Sequence, residues 1–77
     1  MTDVLFPPLD ETRPDTEGVL ATWYAADGDT VADGQLVAEV QMDKVDAEVL
    51  APGAGTIRLL VAEGEEVAQG ARIAEIT

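Results

Sequence analysis

One residue of this chain stands out as a candidate for covalent chemistry. The chain holds sixteen Asp and Glu residues but only four basic ones, and Lys44 is the single lysine among them. A lysine amine is a nucleophile when it is neutral, and catalytic lysines reach that state in apolar surroundings. Acidic and polar residues alternate with the apolar ones beside Lys44, so the sequence near it is not apolar enough to provide such surroundings. Lys44 is therefore predicted to accept a group from another enzyme and not to be a catalyst itself.

The residues around Lys44 alternate between apolar and polar types, which predicts a β-hairpin. With Asp43 and Lys44 as the two tip residues, period-two alternation assigns one set of cross-strand pairs to each face. The apolar face receives the pairs Met42–Val45, Val40–Ala47 and Ala38–Val49, and the polar face receives Gln41–Asp46 and Glu39–Glu48. We expect the tip to be a type I turn, which needs no positive φ.

Composition argues against several classes of function. The chain has no histidine and no cysteine, so the usual general base, thiol nucleophiles, disulfides and zinc ligands are missing. No metal site is predicted. A chain of 77 residues is expected to form one domain, spanning residues 1–77, with little room for a deep catalytic cleft. We therefore predict a carrier or binding module and not an enzyme.

The charge of the chain narrows the set of partners. A formal net charge of −12 disfavours binding to nucleic acid or to an anionic membrane surface. No apolar stretch reaches the length of a transmembrane helix. The start Met1-Thr2-Asp3 lacks the basic region of a targeting peptide. We expect a cytoplasmic protein that is monomeric as an isolated domain.

The chain contains two copies of one sequence unit. Residues 27–40 and 63–76 match at a constant spacing of 36, with identical residues that include Gly28 and Gly64, and Gly34 and Gly70. We expect these four glycines to supply positive φ in turns, since no Gly-Lys-Ser/Thr phosphate motif follows any of them. Each copy is predicted to form a strand, an acidic turn, a short strand, a Gly turn and a strand.

The repeat predicts an all-β fold. No segment shows a sustained helical period, and two related units favour two four-stranded antiparallel sheets packed as a flattened barrel or sandwich with internal pseudo-two-fold symmetry. Val4-Leu5-Phe6 is expected to be a strand that ends at Pro7-Pro8, followed by an irregular loop from Leu9 to Glu17. Phe6 and Trp23 are predicted to make the largest contributions to the core.

With these features in place, the chain resembles the lipoyl domains of 2-oxo acid dehydrogenase complexes. The resemblance covers nearly the whole chain. It is carried by Phe6-Pro7, Glu17-Gly18 with Trp23, Asp27-Gly28-Asp29-Thr30-Val31, Gly34, Asp43-Lys44-Val45, Ala51-Pro52 and the second glycine pattern. The resemblance implies that lipoate is joined to Lys44 by an amide bond and that the arm so formed carries acyl groups and electrons between active sites.

The same resemblance implies a set of partners. A lipoate ligase or a lipoyl/octanoyl transferase would modify Lys44. A thiamine-diphosphate 2-oxo acid dehydrogenase, an acyltransferase core and a flavoprotein dihydrolipoamide dehydrogenase would then act on the arm. Residues beside the lysine are expected to be read by the modifying enzyme and by these partners: Gln41, Met42, Asp43, Val45, Asp46 and Glu48. The acidic members of this set would act through electrostatic complementarity.

Two other functions fit the same residues. The family usually has Glu and Thr where this chain has Gln41 and Met42, and often Ala where it has Val45. A biotin carboxyl carrier domain also presents a tip lysine, but it has Met on both sides of that lysine. An unmodified barrel serving as an interaction module is the third reading, since a fold does not fix a function.

Overall fold

Eight β-strands and no α-helix are formed by residues 2–13 and 15–77, the part of the chain that a computed structural model describes. Alternating apolar residues give each strand one buried face, while Gly and Pro separate the strands. The strands are β1 (Thr2–Leu5), β2 (Glu17–Trp23), β3 (Thr30–Val31), β4 (Leu36–Met42), β5 (Val45–Leu50), β6 (Gly55–Leu59), β7 (Glu66–Ala68) and β8 (Arg72–Ile76).

The strands form two four-stranded antiparallel sheets that exchange their short strands. One sheet has the order β1-β8-β6-β3 and the other β5-β4-β2-β7. Thus β3, from the first sequence copy, joins the sheet of the second copy, and β7 makes the reciprocal exchange. Replacing β1 by β5, β8 by β4, β6 by β2 and β3 by β7 converts the first strand order into the second. This correspondence confirms the predicted fold class and its pseudo-two-fold symmetry.

The core lies between the two sheets. Its largest fully buried side chains include Phe6, Leu20, Ile57 and Ile73, and no polar or charged side chain is buried among the described residues. The prediction for Phe6 is confirmed. The prediction for Trp23 is wrong in part, because the indole is only partly buried and packs on the margin of the core. Its Nε1–H donates to the carbonyl of Val61 at 3.0 Å, which holds the ring at the end of β2.

The turn glycines behave as the repeat predicts. Gly28, Gly34, Gly64 and Gly70 have φ values of 89°, 81°, 86° and 80°, a left-handed region that glycine enters without a Cβ penalty. The near-identical values at equivalent positions show that the two copies use the same turns.

A fifth glycine is required by packing and not by its dihedral angle. Gly18 lies in β2, where a Cβ would overlap Cζ of Phe6 and approach the carbonyl oxygen of Gln41 to 2.6 Å. The absence of a side chain lets the Phe6 ring and the β4 backbone both close on β2. This contact lies in the same part of the sheet as the hairpin that carries Lys44, since Gln41 is three residues from the lysine.

Candidate lysine-presenting hairpin

The hairpin around Lys44 has the register that the sequence predicts. β4 and β5 pair from Ala38↔Val49 through Glu39↔Glu48, Val40↔Ala47 and Gln41↔Asp46 to Met42↔Val45. Asp43 and Lys44 are therefore the two residues of the turn, called the lysine turn below. Met42 is only 3% exposed, so the strand is fixed in the core up to the residue before the turn.

The conformation of the lysine turn differs from the prediction. Asp43 has a φ of 53° and is the only non-glycine residue with positive φ in the described part of the chain. A type I turn has negative φ at both central positions, so the predicted type I turn is wrong. A positive φ at the first central position fits the twist of a hairpin better, and Asp tolerates it more readily than most residues.

A loop between β1 and β2 contacts this turn. Arg13 from that loop donates from Nη2 to Oδ2 of Asp43 at 2.7 Å and from Nε to Oδ2 of Asp10 at 2.8 Å. The hydroxyl of Thr12 also donates to Asp10, and this bond, followed by that from Arg13, holds the pKa of Asp10 below its ordinary value. The hydrogen bonds to Asp10 and then to Asp43 raise the pKa of Arg13, so the guanidinium stays charged.

The loop is itself held by a side chain from the second sequence copy. Gln69 accepts a hydrogen bond from the backbone N–H of Asp10 at 2.7 Å, and its amide nitrogen donates to the carbonyls of Asp10, Arg13 and Thr16 at 3.2, 3.0 and 3.3 Å. Gln69 occupies the position equivalent to Asp33 in the first copy. Arg13 and Gln69 are not among the predicted site residues, although an amide replacing a carboxylate at position 69 is a visible departure from the repeat.

A groove separates the loop from the hairpin. It has a volume of about 210 Å³ and is lined by Leu9, Asp10, Arg13, Met42, Asp43 and Val45. Val45 is 50% exposed, so it offers an apolar surface directly after the lysine. A larger cavity of about 350 Å³ is formed by β6, β8 and the 27–28 turn. That cavity does not include the lysine turn, so the volume of a cavity does not by itself identify the functional site.

The predicted recognition residues lie on different surfaces. Gln41, Asp46 and Glu48 are exposed on the polar face of the hairpin, Asp43 is engaged by Arg13, and Met42 is buried. Met42 is thus positioned to support the turn and not to be read from outside. Glu39, opposite Glu48, accepts a hydrogen bond from the hydroxyl of Tyr24 at 3.0 Å, which offsets part of the repulsion between the two carboxylates.

Two other kinds of feature are absent from the described residues. They contain no group of three or more side chains that could bind a metal ion, and none of their segments forms an apolar helix long enough to cross a membrane. Lys44 is exposed and makes no hydrogen bond or ion pair with any described residue. The arrangement presents the amine of the one lysine at the end of a paired hairpin.

Comparison with known proteins identifies the family. The Biotin_lipoyl family model, described as "Biotin-requiring enzyme", matches residues 12–76. The solved lipoyl domain of the 2-oxoglutarate dehydrogenase complex from Azotobacter vinelandii is 32% identical to this chain. Its TM-score is 0.78, and the match covers 100% of this chain and 96% of that one. The chain belongs to the biotin/lipoyl family, among its lipoyl domains. Lipoyl domains carry lipoate bound covalently to a lysine, and this lipoyl domain has one lysine.

Similar sequences occur within much longer chains. The dihydrolipoyllysine-residue acetyltransferase component of the pyruvate dehydrogenase complex of Corynebacterium glutamicum is 46% identical over 76 residues, 97% of this chain and 11% of that protein. The dihydrolipoyllysine-residue succinyltransferase component of the 2-oxoglutarate dehydrogenase complex of Rickettsia conorii is 40% identical over 74 residues, 95% of this chain and 18% of that protein. The lipoyl domain thus spans less than a fifth of either relative. These matches support the lipoyl reading of the sequence over the biotinyl one.

Proposed function

We propose that Lys44 is the residue to which lipoate is attached and that the modified domain serves as the swinging arm of a 2-oxo acid dehydrogenase complex. The observation that carries the proposal is that the only lysine of a lipoyl domain lies at an exposed hairpin tip without an ion-pair partner among the described residues. When bound, lipoate supplies a dithiolane that can accept an acyl group and two electrons. Cofactors of this kind provide the chemistry while the protein positions them.

Attachment requires a nucleophilic amine and an activated acyl group. The neutral amine of Lys44 attacks the carbonyl carbon of an acyl adenylate, an amide C–N bond forms, the C–O bond to the phosphate breaks, and AMP leaves. The one proton that the neutral amine loses passes to solvent. The domain contributes a lysine on a turn that is held in one place, because Met42 is fixed in the core directly before the turn.

Carriage then depends on tethering. A group held on a long flexible arm reaches successive active sites at a high effective concentration, without any catalytic residue on the domain. The strands β4 and β5 keep the attachment point at the end of their hairpin, and β5 is an edge strand of its sheet. The exposed residues Gln41, Asp46 and Glu48 of the hairpin are then available to partner enzymes.

We assign the partners by class. The modifying enzyme is a lipoate ligase or a lipoyl/octanoyl transferase, and the complex supplies a thiamine-diphosphate 2-oxo acid dehydrogenase, an acyltransferase core and dihydrolipoamide dehydrogenase. The relatives support this assignment through the complexes that they are named for. A monomeric state for the isolated domain and a cytoplasmic location stay predictions, to be checked by light scattering and by cell fractionation.

Reductive acylation tests the carrier role. The lipoylated domain is incubated with a thiamine-diphosphate 2-oxo acid dehydrogenase and labelled pyruvate or 2-oxoglutarate, and the label on the protein is measured. Label is expected on the wild type with at least one of the two acids and not on Lys44→Arg, which keeps the charge but cannot be lipoylated by amide formation. A fully lipoylated wild type that accepts no acyl group from either acid would contradict the carrier role.

A further inference from the structure

Arg13 joins two carboxylates that are far apart in the sequence. Its Nε lies 2.8 Å from Oδ2 of Asp10, within the β1–β2 loop, and its Nη2 lies 2.7 Å from Oδ2 of Asp43, in the lysine turn. The two contacts use different nitrogens of one guanidinium, so the position of Asp43 is coupled to the position of the loop. An Arg has the planar, many-donor geometry for such a bridge, which a Lys lacks.

The loop end of this bridge is fixed by the other sequence copy. The side chain of Gln69 receives one hydrogen bond from the loop backbone and donates to three loop carbonyls, including that of Arg13 itself. Gln69 lies between β7 and β8, where the backbone N–H of Gly70 also bonds to the carbonyl of Phe6. A continuous set of contacts therefore runs from the β7–β8 turn through Arg13 to Asp43.

The turn end of the bridge falls on the one strained position of the hairpin. Asp43 adopts a φ of 53°, which disfavours residues with a Cβ. Its carboxylate is the side-chain group through which the loop can hold that conformation. Since Lys44 follows directly, the conformation of Asp43 sets the direction in which the lysine leaves the tip.

The bridge also determines which cation pairs with Asp43. Lys44 is flanked in sequence by two carboxylates within two residues, Asp43 and Asp46, and yet it forms no ion pair with any described residue. Asp43 is already paired with Arg13. An amine bound to a carboxylate holds its proton more firmly and is a poorer nucleophile, so the pairing of Asp43 with Arg13 favours attachment at Lys44.

We propose that Arg13 is a positioning residue for the modification of Lys44: acting through Asp43, it holds the lysine turn in its positive-φ form and keeps the adjacent carboxylate from binding the lysine amine. The inference rests on the proposed function of Lys44. Arg13, a loop residue 30 positions before Asp43 in the chain, thereby has a role in presenting the lysine.

The test is a double-mutant cycle on the rate of attachment. Arg13→Gln, Asp43→Asn and the double variant are incubated with lipoate, ATP and lipoate ligase, and the initial rate is followed by intact mass. Asn tolerates positive φ, so Asp43→Asn keeps the turn while removing the charge. Arg13→Lys tests rescue by a conservative change. Arg72→Gln is the matched control, because Arg72 has two weaker ion pairs, with Asp3 and Glu75.

Arg13→Gln is expected to lower kcat/KM for attachment about threefold, the ratio that an exposed ion pair of ordinary strength supports. Arg13→Lys should recover part of the rate, and Arg72→Gln should leave it unchanged. In the Asp43→Asn background, Arg13→Gln should have no further effect. The three-bond coupling between the amide and Hα protons of Asp43, which reports φ without any modification of the protein, should change in Arg13→Gln and not in Arg72→Gln.

Two results would overturn the inference: an unchanged rate and coupling constant in Arg13→Gln, or an equal loss of rate in the Asp43→Asn background, which would mean that Arg13 does not act through Asp43. Failure of the proposed function has a different signature. In that case the folded wild type itself stays unmodified, and neither Lys44 nor Arg13 has a role in attachment.

Discussion

The side-chain amide of Gln69 donates a hydrogen bond to the backbone carbonyl of Arg13 at 3.0 Å, across 56 residues of sequence. Arg13 in turn pairs with Asp43, next to the lysine. The lysine turn is therefore supported by both sequence copies: the first supplies most of β4, and the second supplies Gln69, which anchors the loop beside the turn.

Replacing Gln69 with Ala should loosen the β1–β2 loop. The change removes four hydrogen bonds at a partly buried position, and we expect a loss of about 1–2 kcal/mol in the free energy of unfolding. Hydrogen exchange at the amide of Asp10 should accelerate, since that amide donates to Gln69. The control is Asp33→Ala, the equivalent exposed position of the first copy. Equal effects of the two changes on stability and exchange would show that Gln69 has no special anchoring role.

Adding one methyl group at Gly18 should destabilise the fold. A Cβ there would overlap the Phe6 ring and the Gln41 carbonyl, and neither can move freely, since Phe6 is fully buried and Gln41 is paired in the sheet. We expect Gly18→Ala to lower the free energy of unfolding by about 1–3 kcal/mol in urea denaturation. Gly53→Ala is the control, because its Cβ would meet only Thr2 Oγ1 at 3.9 Å. A Gly18→Ala protein as stable as this control would contradict the packing described above.

The single tyrosine of the chain should titrate at unusually high pH. The hydrogen bond that Tyr24 donates to Glu39, strengthened by the charge of that carboxylate, raises the pKa of Tyr24 above its ordinary value of about 10. Because the folded-state pKa lies above the unfolded one, the contribution to stability is fully present below the unfolded pKa. It is lost as the pH rises through the folded pKa.

Tyrosinate absorbance measures this pKa directly, since no other tyrosine is present. Glu39→Gln should lower the pKa of Tyr24 towards the ordinary value, whereas Glu11→Gln, which removes an exposed charge in the loop, should leave it unchanged. A wild-type pKa at or below the ordinary value would show that the bond to Glu39 is absent in solution.

Asp46 and Glu48 should tune the encounter with partner enzymes. Both are exposed beside the lysine turn and free of ion pairs to described residues, whereas Asp43 has the separate structural contact with Arg13. Asp46→Asn is expected to change the rate of reductive acylation about twofold at low salt, an effect that salt should screen. Asp33→Asn removes the same charge elsewhere. If both variants showed the same rate and salt dependence as the wild type, Asp46 would have no part in partner selection.

The hairpin register follows from the sequence because it is determined by residues that are close together in the chain. Alternation from Ala38 to Val49 leaves one register in which the apolar side chains share a face, and the structure has that register. The turn glycines were predictable for a similar reason, since the repeat marks equivalent positions and glycine alone enters their backbone region without strain.

The conformation of the lysine turn could not be predicted in this way. The positive φ of Asp43 is supported by Arg13 from a loop 30 residues earlier and, through that loop, by Gln69. Such contacts leave no periodic signal in the sequence. The partial exposure of Trp23 has a related cause: its indole N–H needs a polar partner, and the carbonyl of Val61 provides one only at the margin of the core.

The most direct test of the central claim is the intact mass of the folded protein after incubation with lipoate, ATP and lipoate ligase, followed by peptide mapping. Biotin with biotin ligase is the parallel control, and Lys44→Arg is the matched variant. We predict one lipoyl increment on Lys44, none on Lys44→Arg and none from biotin ligase. A wild type that stays unmodified, or an increment that persists in Lys44→Arg, would contradict the assignment of Lys44 as the attachment residue.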